Sequence, residues 1–318
     1  MNQNIKRTLK ITLPLLLGVF LVWYSLNDVP LPKILEYWKA SNKSWILLGV
    51  LLGLLSHLSR AYRWRFQLEP MEYHVKLGNS IMAVFATYLI NYTIPRAGEV
   101  ARASILTNYE DVPFEKGFGT IVAERIADLL VMLGIIVITL FLQFDFIYDF
   151  LMEKFNPKKI ILVLGLVAAL LLFFTLYIKK SDSKIAIKIR HFVNGLIEGA
   201  LSIFKMKKKW AFIFHTLFIW GMYVLMFYVT SLAVPELSEA PFGAILIGFI
   251  SASFSIAATN GGIGLYPLAV YGAFAIFGID KDPSYAFGWI MWASQTFMII
   301  LLGGASLIYL PIFNRKRS

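Results

Sequence analysis

Residues 91–106 read NYTIPRAGEVARASIL and directly follow the apolar run SIMAVFATYLI. Pro95 removes a backbone donor and ends a helix, and Gly98 permits a close turn. A second helix starting near Glu99 would present unsatisfied N–H groups and the positive end of its dipole. With Arg96 and Arg102 beside them, such groups suit an anion such as a phosphate. At membrane depth this polar backbone must be buried in protein or line a wet cavity. The same residues also suit an interfacial loop, with Arg96 reaching to lipid headgroups.

Two further stretches carry groups of this kind. In VAERIADLL, at 122–130, Glu124, Arg125 and Asp128 interrupt an apolar span. Glu124 and Asp128 share a helix face, and Arg125 can pair with Asp128. Ionisable groups in a spanning helix cost ~3 kcal/mol each, so three in five residues imply mutual pairing or a polar cavity; an ion cluster near the cytoplasmic end is the structural alternative. In ATNGGIGLYPL, at 258–268, Gly261, Gly262 and Gly264 free the backbone and Asn260 can cap the following helix. That turn lacks the lysine of a phosphate-binding loop and the strand context of a dinucleotide fold. A helix kink for close packing is its plainer reading.

The elements that hold these groups are membrane helices. Hydrophobic residues make up 58% of the 318 residues, and the mean hydropathy is +0.69. A soluble domain has no use for that much apolar surface. We expect an all-α, polytopic integral membrane protein forming a single transmembrane domain over 1–318. Full spans are expected near 11–26, 43–62, 117–142, 160–178, 210–233 and 284–311. The apolar regions 77–94 and 241–278 are broken by PRAGE and NGGIG and are expected to be re-entrant hairpins of opposite orientation, the pattern of an inverted repeat with a site near the midplane.

Lysine and arginine concentrate in 1–10, 60–76, 96–116, 179–209 and 315–318, which places these segments and both termini on the cytoplasmic side. A bacterial cytoplasmic membrane is the expected setting. That bias accounts for the net charge of +11 without nucleic acid. Within 181–205, Ile185, Ile189, Phe192 and Leu196 recur at helical spacing among Lys184, Lys188 and Arg190, with the Lys207–Lys209 run just beyond. This reads as an amphipathic helix on the anionic lipids of the inner leaflet, or as one packed on its own loops. The chain has no cysteine, and its four histidines are scattered, so neither thiol chemistry nor a metal site is expected, and no cofactor is implied.

The series N-x-x-x-P-R-x-G-E, then E-R-x-x-D, then N-G-G-I-G resembles the lysylphosphatidylglycerol synthase transmembrane region, a flippase-like family. The matching residues are Asn91, Pro95, Arg96, Gly98 and Glu99, then Glu124, Arg125 and Asp128, then Gly262 and Gly264; Arg63 and Trp64 of YRWRFQL fit its early loop. In larger members this region moves aminoacylated phosphatidylglycerol between leaflets, and a cytosolic domain makes that lipid. Here the sequence stops at NRKRS, so the resemblance implies translocation of a phospholipid or lipid-linked headgroup and not its synthesis. Headgroup binding is expected from Asn91, Arg96, Glu99, Arg102, Glu124, Arg125, Asp128, Asn260, Gly262 and Gly264, converging in one polar cavity. Two other functions compete. One is a membrane enzyme using Glu124 or Asp128 as acid or base, which lacks an accompanying nucleophile or metal site. The other is an accessory protein that holds a separate lipid- or glycan-modifying enzyme at the membrane.

Overall fold

The computed structural model describes residues 3–94, 96–154, 157–181, 183, 186–187, 189–190 and 206–315, with the side chains of 3–15 and of parts of 151–180 left out. Among these residues there are twelve α-helices and no strand: α1 (Gln3–Asp28), α2 (Leu31–Ala40), α3 (Lys43–Leu68), α4 (Leu77–Thr93), α5 (Ala97–Glu110), α6 (Phe114–Leu142), α7 (Phe144–Lys154), α8 (Pro157–Lys180), α9 (Lys209–Ser231), α10 (Phe242–Ala258), α11 (Leu265–Ala275) and α12 (Lys281–Phe313). Helices α3, α6, α9 and α12 are long and apolar enough to cross a bilayer. The other two expected spans fall on α1 and α8. The protein is an all-helical polytopic membrane protein.

The described chain separates into two compact units, one of Met1–Ile121 with Trp210–Ser318 and one of Val122–Lys209. The second unit holds most of α6 together with α7 and α8. Its apolar side chains are widely exposed, Phe141 at 82%, as lipid-facing helices require. Of the expected amphipathic helix, Ile185, Phe192, Leu196, Lys184 and Lys188 lie outside the described residues. Ile189 and Arg190 are helical and half-buried, and Arg190 donates to the carbonyls of Lys179 and Ser181.

In the first unit the two broken regions are antiparallel helical hairpins. Helix α4 stops at Thr93 because Ile94, the residue before a proline, is extended at φ −127°. Arg96 then takes a left-handed conformation at φ 60°, which turns the chain back into α5. In the second hairpin Gly261, Gly262 and Gly264 adopt φ values of 64°, 83° and 69°, and so carry α10 round into α11 where a side chain would be strained.

Helix α12 carries both hairpins. Phe313 lies on Gly78 at the start of α4, and Gly303 receives Leu89 and the Phe85 carbonyl farther along it. Near its other end, Gly288 lies on Pro267 and Phe287 stacks on Phe274 with centroids 5.8 Å apart. The hairpins therefore point at each other from opposite ends of α12. Helix α3 runs antiparallel to α9: Gly49 abuts Thr230, Gly53 abuts Met226, and Arg63 bonds Thr216. The expected cytoplasmic segment 60–76 differs in its first part, because α3 continues to Leu68 and buries Arg60 and Arg63. The Thr216 hydroxyl and the Phe212 ring receive Arg63, and so the helix need not surface there.

Candidate functional site

The first hairpin caps itself at both ends. At its tip the Asn91 side chain accepts from the Gly98 N–H at 2.8 Å and donates to Glu99 Oε2 at 3.4 Å. Asn91 thus occupies one of the N–H groups expected to face an anion, and it holds Glu99 at the same turn. Gly98 is buried against Asn91 and the Thr87 carbonyl. At the open end Glu110 Oε1 accepts from the Lys76 N–H at 3.1 Å and from Asn79 Nδ2 at 2.5 Å, and Asn79 in turn exchanges amide hydrogen bonds with Asn314. Arg96 is exposed at the tip. Arg102 faces the other way: it is 2% exposed, with its guanidinium 3.8 Å from the centroid of the Trp64 ring.

The tips of the two hairpins meet on α12. The Tyr92 ring lies on Gly261, where a side chain would collide with it. The Tyr92 hydroxyl and Thr296 Oγ1 are 3.0 Å apart, and Trp292 Nε1 donates to the Gly261 carbonyl at 2.8 Å. On the far side of the turn, Gly264 abuts the α1 backbone at Leu21 and Val22. Asn260 is buried, and Gly262 packs on Tyr266 and Ile256. Asn91, Arg96 and Glu99 thus share one tip, and Asn260, Gly262 and Gly264 share the tip that meets it.

The motif ERxxD belongs to the second unit. Glu124 and Asp128 are 1% and 6% exposed, one turn apart on the buried side of α6. Arg125 points away, with its side chain 42% exposed and its guanidinium 3.9 Å from Asp128 Oδ2.

A polar face on α3 is added by the structure. Ser56, His57, Ser59, Arg60, Arg63 and Gln67 are all buried. Arg63 donates to Thr216 Oγ1 at 2.7 Å and lies 5.1 Å from the Phe212 ring. Ser59 Oγ and His215 Nδ1 are 2.8 Å apart, and Trp64 Nε1 donates to Thr120 Oγ1 at 2.8 Å. The spacing of 56, 60, 63 and 67 marks one helical face. That signal is present in the sequence, and it is masked there by taking Arg60 as the point where the helix leaves the membrane.

Comparison with known proteins fits this architecture. The family described as the lysylphosphatidylglycerol synthase TM region matches residues 11–304. The chain belongs to that family. A UPF0104 membrane protein of Methanocaldococcus jannaschii is 24% identical to the chain over 308 residues, 87% of this chain and 88% of that protein. The glycosyltransferase AglD of Haloferax volcanii is 25% identical over 135 residues, which is 42% of this chain and 22% of AglD.

Proposed function

We propose that the protein is a flippase-like translocase that moves a phospholipid or lipid-linked headgroup between leaflets of a cytoplasmic membrane. One observation carries this reading: two self-folded helical hairpins approach from opposite ends of α12 and meet tip to tip at Tyr92 and Gly261. Broken helices that end at mid-depth create polar backbone where a lipid bilayer offers none. Proteins use that arrangement to build a substrate site between inverted halves. The order of helices supports such a repeat. A long helix, two short ones and a long one occur as α3–α4–α5–α6 and again as α9–α10–α11–α12, and α3 and α9 run in opposite directions.

In this reading both hairpins are re-entrant, the first from the cytoplasm and the second from outside, with both termini cytoplasmic. Arg96 and the turn N–H groups meet the headgroup phosphate, and Glu124, Arg125 and Asp128 supply the charges that the substrate's passage requires. The test is reconstitution of the full chain in vesicles holding a fluorescent phospholipid. Bleaching by an impermeant reductant should exceed the outer-leaflet share, and bleaching equal to that of empty vesicles would overturn the proposal.

A second reading draws on the match to a glycosyltransferase over part of the chain. Here the protein serves as the membrane partner of a separate lipid-glycosylating enzyme. Such an accessory would leave lipids in their leaflet in the same assay.

A further inference from the structure

Helix α1 meets the rest of the first unit along one narrow stripe. Gly18 and Ser25 are buried and Leu21, Val22 and Asp28 half-buried, at the spacing of a single helical face. Leu16, Leu17, Val19, Phe20, Trp23 and Tyr24, on the remaining faces, are all exposed. The middle of the stripe rests on the NGGIG turn, backbone against backbone. A side chain added at Gly264 would lie 2.5 Å from the Val22 nitrogen and 2.6 Å from the Leu21 carbonyl carbon. One turn earlier, Gly18 meets the side chain of Ile263.

The end of α1 is held differently. Asp28 accepts from the Tyr285 hydroxyl at 2.8 Å and pairs with Lys281 at 3.0 Å, and Trp289 Nε1 donates to Ser25 Oγ at 3.1 Å. Val29, at the elbow into α2, is buried in a cluster with Ile34 and Tyr285. These bonds gather at the start of α12. Over the turn, the contacts of α1 among the described residues are packing alone. Apolar helices in a bilayer gain little from burial against each other that lipid does not also offer. Lifting α1 off the turn therefore exchanges packing for lipid contact, whereas lifting it off the start of α12 breaks an ion pair and two hydrogen bonds.

We infer that α1 is a lid over the tip of the second hairpin, hinged at Ser25–Val29 and lifting at Gly18–Val22 to open the turn sideways to the bilayer. The inference rests on the translocase reading for what the opening admits. In that reading the turn is broken backbone inside the membrane, which must be covered by protein or face a wet cavity. A hinged cover meets the first need at rest and the second during passage.

The chain has no native cysteine, and the seat of α1 allows a lock. A Cβ at position 18 would lie 3.7 Å from that of Ile263, within the ~3.5–4.5 Å span of a disulfide. Gly18→Cys/Ile263→Cys in the full chain should therefore cross-link on oxidation with copper phenanthroline. In vesicles, lipid movement is read by extraction of a fluorescent phospholipid to albumin, which spares the disulfide. Oxidation should confine extraction to the outer-leaflet share, and dithiothreitol should restore it to the parent's level. The parent and each single variant should ignore the oxidant. The oxidised form should unfold no earlier than the reduced form, which separates a shut lid from a damaged fold. Cross-linked protein that moves lipid at the parent rate would overturn the lid, as would two thiols that fail to cross-link. Spin labels test the lid without transport. Nitroxides at Phe20→Cys and Leu301→Cys, both exposed in the parent, should give two separations, and a single narrow one would overturn the lid. Two separations in a protein that leaves lipid in its leaflet sink the translocase and spare the lid.

Discussion

At Arg102 the guanidinium lies flat enough on Trp64 to bring its central carbon 3.8 Å from the ring centroid, and Trp64 is itself fixed by its bond to Thr120. A desolvated cation on an indole is worth about 2 kcal/mol, and planar arginine is better suited to it than the ammonium of lysine. Arg102→Lys should therefore unfold at lower temperature than the parent but remain folded. Arg102→Met should cost more, since the groups around a buried cation lose their counterpart. Thermal unfolding in detergent would measure both, and equal stability of all three proteins would refute the stacking role. Glu124 is the opposite case: a buried carboxylate in the middle of an apolar helix. Glu124→Gln keeps its shape and removes its charge. It should abolish lipid movement in vesicles while leaving a folded protein; a variant that folds and still moves lipid at the parent rate would remove Glu124 from the transport machinery.

The first hairpin shows how two short helices can supply each other's missing backbone partners. Asn91 caps α5 and Glu110 caps α4, so each helix of the pair bonds the other's exposed backbone. Loss of a cap costs ~1 kcal/mol, and Asn91→Ala should lower stability by that order. Gly98→Ala should cost more, since its methyl would meet the Thr87 carbonyl; a smaller loss than for Asn91→Ala, measured in the same unfolding assay, would contradict the close approach. Much of this was legible in the sequence. A proline, a glycine and two arginines after an apolar run, and a glycine-rich turn inside another, locate both breaks to within a few residues. The roles of single residues were less legible. Asn91 and Arg102 sit in the expected motif, yet one is used as a cap and the other as a buried ring contact. Spacing along one helix does not say which neighbour it will meet. Tyr92 and Trp292 were not singled out at all, because aromatic residues in apolar spans are common and only tertiary contacts bring both onto Gly261.

At the largest scale, α12 serves as a common ruler for the first unit. Its Asp282 end holds Lys33 of α2 at 2.5 Å, a bond that raises the Lys33 ammonium above its ordinary pKa, and its Asn314 end holds the open end of the first hairpin. A helix of 33 residues is about 50 Å long, more than the thickness of a bilayer with its headgroups. If α12 spans, groups attached to its two ends must face different compartments. Glu115, just beyond the first hairpin, and Glu239, just before the second, are both exposed. The protein has no native cysteine, so Glu115→Cys and Glu239→Cys each create a single reporter. In intact cells an impermeant thiol reagent should label Glu239→Cys and spare Glu115→Cys, and permeabilisation should expose the second. This is the outcome required by inverted hairpins and by lysine and arginine lying inside. Labelling of both positions from outside would place both hairpins on one side of the membrane and break the repeat. Reversed labelling would keep the repeat and overturn the orientation.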